Sequence, residues 1–112
     1  MEYSVSDLNN EIKNLLNINF NDKIIVKGEI SNLKTSNGHA YLSLKDKNAL
    51  INAVIWRSTF SKYSNLKNGD QIKAKCKLDV YNKTGQYQVY ISDIEIDGMG
   101  KLYDKYLKLK KN

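Results

Sequence analysis

The sequence predicts a mainly β protein, five strands closed into a small barrel with a helix before the first strand and another after the last. Three observations carry this expectation. Apolar residues recur at helical steps over residues 4–20, at alternate positions over residues 23–97, and at helical steps again over residues 100–110. Turn residues punctuate the alternating region so as to leave strands of ordinary length. The 112 residues also have room for one domain spanning 1–112, since single domains run to roughly 100–150 residues.

In the opening segment Val5, Leu8, Ile12, Leu15, Leu16 and Phe20 fall three or four residues apart, which aligns them in one helical stripe. Ser4 or Ser6 can cap its start, with Asp7 three residues after Ser4. Residues 17–22 hold the Asn and Asp that end helices. The period then changes to two. Ile24, Val26, Gly28 and Ile30 form the inward set of a first strand over 23–33, with Gly28 expected at the bend or bulge that lets a small barrel close. Residues 35–38, Thr-Ser-Asn-Gly, make a turn, Asn-Gly being a strong hairpin signal. Ala40, Leu42 and Leu44 point inward from a second strand, leaving His39, Tyr41, Ser43 and Lys45 outside. A third strand, 50–57, turns Ile51, Ala53 and Ile55 inward and Asn52, Val54 and Trp56 outward.

Residues 58–66, with Phe60 and Tyr63 three apart, form a short helical connection, closed by Asn68-Gly69-Asp70. The fourth strand, 71–81, sets Ile72, Ala74, Cys76, Leu78 and Val80 against Lys73, Lys75, Lys77 and Asp79. After the 82–85 hairpin loop, Tyr87, Val89 and Ile91 alternate along a fifth strand, 86–96, until the pattern breaks at Asp93 and restarts at Ile94. Leu102, Tyr106 and Leu109 then return to helical steps. Five strands with a helix between the third and fourth is the order of an OB-fold, a Greek-key barrel that removes its sheet edges by closing. A five-stranded SH3-like sheet is the rival. The helix and the long, bent first strand favour the OB-fold.

Composition narrows the function. Eighteen Lys and Arg against twelve Asp and Glu give a formal charge of +6, which favours a polyanionic partner through attraction to phosphates. All but one of those cations are Lys, so the charge needs a surface before it means binding. No apolar run reaches the roughly 20 residues of a membrane helix, and the N-terminus lacks a basic, then apolar, leader; a cytoplasmic protein with no membrane partner is expected. The single cysteine, Cys76, excludes an internal disulfide and reads as a small apolar residue of the barrel wall. No metal cluster, nucleotide-binding loop or nucleophile with a paired base is visible, so neither cofactor nor catalysis is expected of this chain alone.

Four stretches carry a resemblance: YSVSDLNNEIKNLL, then VKGEISNLK, then NGHAYLSLKDKNALINAVIWR, then LKNGDQIKAKCKLDVYNKTGQYQVYISDIEIDGMGKLY. In this order and spacing, from Tyr3 to Tyr106, the chain resembles the N-terminal domain of the large subunit of bacterial exonuclease VII. The resemblance implies an OB-fold that holds single-stranded DNA for a nuclease cutting it to oligonucleotides from either end. It also implies a longer continuation, carrying the nuclease centre and the helical region for the small subunits, expected to begin near Asn112. The stripe of the terminal helix would then meet the rest of such an assembly or another copy of the chain.

OB domains take nucleic acid across strands two and three and between the loops joining strands one to two and four to five. Cations for phosphates and flat rings for bases are the groups required there. The second strand offers Tyr41 as a stacking ring, His39 as a donor and Lys45 as a cation; the third offers Asn52, Trp56 and Arg57, the only arginine. The loops add Lys34, Lys83 and Tyr87. Each has a plainer reading: a solvated face for Tyr41 and Lys45, a strand-end cap for Arg57, solvated turns for the loop lysines. Trp56 is more often core than platform and ranks below Tyr41. Single-stranded DNA is the expected partner, with an RNA-binding barrel of the anticodon-binding type, or a protein–protein barrel, as alternatives.

Overall fold

A computed structural model describes residues 1–96 apart from Ser64 and Asn82. The expected terminal helix over 100–110 lies outside the described residues. Two helices and five strands follow in the order α1 (Val5–Asn19), β1 (Ile24–Ser36), β2 (His39–Lys45), β3 (Leu50–Ile55), α2 (Arg57–Phe60), β4 (Gln71–Tyr81) and β5 (Gln86–Ile96). The strands close in the order β1-β2-β3-β5-β4, and β4 pairs back onto β1. All pairs are antiparallel except β3 with β5, where Asn52, Ala53 and Val54 lie beside Gln88, Val89 and Tyr90. The mainly β, five-stranded OB-fold barrel expected from the sequence is the fold observed.

The alternation fills the interior as the pattern dictates. Ile30, Ala40, Ile55, Ile72, Ala74, Cys76 and Val89 are wholly buried, and Leu42, Leu44, Ala53, Leu66, Leu78 and Ile91 complete the core cluster. Burial pushes the Cys76 thiol up to about 11, because the thiolate would have to leave water. The raised value means the folded barrel favours the protonated thiol: that contribution is complete below the thiol's ordinary value and disappears as pH rises through about 11. A thiol reagent at neutral pH is therefore expected to label Cys76 only as fast as the barrel opens. Rapid stoichiometric labelling of the native chain would show the wall to be penetrable.

The first strand departs from its expected geometry in one place. The irregularity is not at Gly28 but between Ser31 and Lys34, where Asn32 and Leu33 together face Leu42. Asn32 takes a left-handed conformation (φ 55), and the Leu33 amide, released from the ladder, donates to Asn68 Oδ1 at 2.9 Å. This bulge shifts the alternation by one, turning Leu33 toward the core and Lys34 outward. Gly28 serves another purpose. A Cβ there would stand 3.2 Å from the Lys45 carbonyl oxygen and 3.3 Å from Leu44 Cβ, so glycine lets β1 and β2 approach closely where β1 leaves its pairing with β4 and takes up that with β2. The strand also runs on to Ser36, leaving a tight Asn37-Gly38 turn with both residues at positive φ (53 and 84), the geometry of a type I′ hairpin.

Ser4 caps α1, accepting from the Asp7 amide at 3.0 Å. The helix lies on β4 through polar anchors: Lys13 Nζ reaches Asp79 Oδ1 at 3.0 Å, and Lys77 Nζ donates to the Phe20 and Asn21 carbonyls at 3.1 and 3.3 Å. Leu16 alone of its apolar stripe packs against the core; Val5, Leu8, Ile12 and Leu15 stay exposed. The helical connection after β3 is shorter than expected, α2 ending at Phe60. The chain beyond it is held by Tyr63, whose hydroxyl donates to the Asp93 carboxylate and accepts from the Ile94 amide.

Candidate nucleic-acid interface

Strand pairing writes a grid of side chains on the outer face. One row runs Lys34, Tyr41, Val54, Tyr90 across β1, β2, β3 and β5; the next runs Ser31, Ser43, Asn52, Gln88. Between them lies a groove of about 290 Å³, lined by Asn32, Lys34, Tyr41, Ser43, Asn52 and Gln88 over a floor that includes Val54. Val54 points outward, as its position in the strand requires, yet is only 5% exposed. The side chains around it form a shallow apolar floor with polar walls, suited to a flat, partly polar ligand.

The polar groups are held in place. Ser43 Oγ donates to Asn52 Oδ1 at 3.4 Å, which leaves the Asn52 amide hydrogens free to donate outward. Gln88 Nε2 donates to the Tyr90 hydroxyl at 2.6 Å, so the Gln88 carbonyl oxygen remains an acceptor. Donors and acceptors thus stand side by side at the centre of the face.

Rings gather at the β3 end. The Trp56 indole stacks on the Tyr90 ring, centroids 5.6 Å apart at 18°, and meets His39 edge to face at 5.2 Å and 86°. The sequence placed Trp56 outward but ranked it below Tyr41, because tryptophan is more often core; at 47% exposure it is an open ring backed by Tyr90. It escapes burial because β3 ends at Ile55, putting Trp56 just beyond the last ladder residue. His39, expected as a donor, accepts the Arg57 amide at Nδ1 at 2.8 Å, which puts the ring proton of the neutral imidazole on Nε2. That bond secures the start of α2 and leaves Nε2 as the nitrogen facing away. Arg57 opens α2 rather than ending a strand, and its stem lies against the β1–β2 turn, where a Cβ on Gly38 would fall 2.9 Å from Arg57 Cγ and Cδ.

The sequence-derived residues divide accordingly. Lys34, Tyr41 and Asn52 line the central groove, with His39, Trp56 and Arg57 at one end of it. Lys45 does not join them; it lies 3.7 Å from Glu29 and lines a separate cleft. Lys83 and Tyr87 are exposed at the β4–β5 hairpin, outside the groove, and Tyr87 belongs to the same side of β5 as buried Val89. Sequence reasoning missed Asn32, Ser43, Gln88 and Tyr90. The last two were signalled by the inward Val89 and Ile91, which put Gln88 and Tyr90 outside, but their parallel pairing with β3 leaves no local trace.

Residues 3–95 match the family model described as an OB-fold nucleic acid binding domain. The chain belongs to that family. Among curated proteins this OB-fold domain is 44% identical over 111 residues to the exodeoxyribonuclease 7 large subunit of Clostridioides difficile strain 630, covering 95% of the chain and 27% of that subunit. It is 46% identical over 112 residues to the same subunit of Clostridium novyi strain NT, covering 96% and 28%. The match is to the OB domain of those subunits, as the sequence resemblance implied, and the chain spans about a quarter of the length of the relatives it matches. Solved structures share the fold at low identity. Asparaginyl-tRNA synthetase from Pyrococcus horikoshii aligns with a TM-score of 0.57 at 15% identity, over 67% of this OB-fold domain and 19% of that chain. A chain of the S. pombe Stn1-ten1 complex aligns at 0.58 and 16%, over 80% and 71%.

Proposed function

We propose that the chain is a single-stranded DNA-binding module, the substrate-holding arm of an exonuclease VII-type nuclease in the cytoplasm, and that it contributes no bond-breaking step itself. The observation that carries this reading is the outer face of β2, β3 and β5. It sets exposed rings, Tyr41 and the Trp56–Tyr90 stack, beside a polar groove flanked by Lys34. Bases of a single strand present both faces to such rings; in a duplex they are already stacked on each other. The identity to exodeoxyribonuclease 7 large subunits supports DNA over RNA as the strand taken up. Lys83 and Tyr87 would meet the strand from the β4–β5 hairpin, and Arg57 from the β1–β2 side.

A second reading, an RNA-binding barrel, is favoured by the shared fold with asparaginyl-tRNA synthetase. Anisotropy titrations with single-stranded DNA, RNA and duplex DNA of one length, at two salt concentrations, separate the two. Preference for single-stranded DNA is expected; equal affinity for duplex would sink both readings. The face itself is tested by two variants. Tyr41→Ala is expected to cost roughly 1–3 kcal/mol of affinity with the salt slope unchanged, the signature of a lost stack. Lys34→Ala is expected to lower the slope by about 0.7, the counterions released by one phosphate of a single strand. If Tyr41→Ala folds normally and binds like the parent, the stacking face has been misplaced.

A further inference from the structure

A larger cleft, about 640 Å³, lies beside the central groove and is lined by Lys27, Glu29, Lys45, Asp46, Lys47 and Gln71 around Gly28. The two adjoin along β2. Ser43 lines the groove and Lys45, two residues on, lines the cleft, a step of about 7 Å along a strand. No aromatic side chain lines the cleft, so it offers nothing on which a base would stack. Its carboxylates are already engaged. Asp46 accepts the Asn48 and Ala49 backbone amides at 2.8 and 3.0 Å in its own turn, while Glu29 accepts from Gln71 Nε2 at 3.2 Å and lies 3.7 Å from Lys45 Nζ. Lys45 and Lys47 bring cations to the cleft, and Lys47 has no acid partner among the described residues.

We propose that this cleft is a phosphate subsite, which takes the sugar-phosphate backbone of the strand as it passes off the end of β2 beyond Ser43. The inference rests on reading the outer face as a single-strand site. It assigns the two regions different work: rings and amides hold bases in the groove, while Lys45 and Lys47 hold backbone charge beyond it. The bound strand is accordingly longer than the groove alone accommodates.

The test compares oligodeoxythymidylates of about 6 and about 16 nucleotides, within the range of site sizes that OB folds occupy. Binding of each to the parent chain, Lys47→Ala, Lys47→Glu and Lys62→Ala is followed by anisotropy across a salt series. Lys62 is a cation that lines neither groove nor cleft. Lys47→Ala is expected to weaken the long strand about threefold and lower its salt slope by about 0.7, and Lys47→Glu to weaken it about tenfold. Neither variant should alter the short strand, and Lys62→Ala should alter neither length. Equal losses at both lengths, or no loss with the long strand, would overturn the subsite while leaving the groove reading intact. A parent chain that binds neither length would overturn the groove reading, and the subsite with it.

Discussion

Replacing Trp56 with alanine is expected to weaken single-strand binding by about 1–3 kcal/mol, or roughly 5- to 150-fold, with no change in salt slope. Trp56 is nearly half exposed and its indole is already stacked on Tyr90, so a base added to its exposed surface extends an existing stack rather than building one. Because Trp56 is the only tryptophan, binding in the parent chain should also quench its fluorescence with the same midpoint as anisotropy. Removing the ring gives up the contact to Tyr90 as well, a cost of about 0.5–1.5 kcal/mol in stability that leaves the core intact. Unchanged fluorescence at saturating DNA, with unaltered affinity in Trp56→Ala, would place the bases elsewhere.

One residue earlier the expected effect is reversed. Ile55 faces the interior with no exposed surface and lies opposite Ala40 on β2. Ile55→Ala should lower unfolding stability by about 2–5 kcal/mol, the lost burial plus the cavity left by a core that cannot collapse around it. Against the roughly 5–15 kcal/mol of a typical domain, this is a large fraction of the whole. Denaturant titration should show a lower midpoint with the slope retained. Binding measured well below the transition should match the parent. A midpoint unmoved by this change would mean that β3 does not pack as described.

These neighbours show which parts of the protein the sequence disclosed. Strict alternation in β4 placed Ile72 through Val80 without ambiguity, because period two and a one-sided core are the same fact seen twice. The break at Asp93 was also real: β4 and β5 shift register there, and Ser92 Oγ donates to the Lys75 carbonyl at 3.2 Å. The β1 bulge could not be read. Nothing in Ser-Asn-Leu-Lys announces that two residues will face one, and the Asn68 side chain that takes the freed amide lies 35 positions away. The site was half legible for a similar reason. Tyr41, Asn52 and Trp56 follow from alternation within single strands, whereas the Gln88–Tyr90 side of the groove exists only because β5 lies beside β3. The exposed stripe of α1 departs from expectation in another way, since only Leu16 of it reaches the core and Lys13 and Lys77 supply polar anchors.

The parallel seam between β3 and β5 also bears on how the barrel comes into being. Strands β1, β2 and β3 are joined by short turns and can pair as soon as each leaves the ribosome, and β4 can add to β1. The free side of β3 must wait for β5, the last strand of the barrel to be synthesised. Closing so wide a loop before its contacts reward the ordering is the slow kind of step in β folding. Through that interval β3 presents a bare edge, with the hazard of pairing to another nascent chain. Any product terminated within β5 would keep that edge open permanently, which makes the eleven residues of that strand the ones on which solubility during synthesis depends.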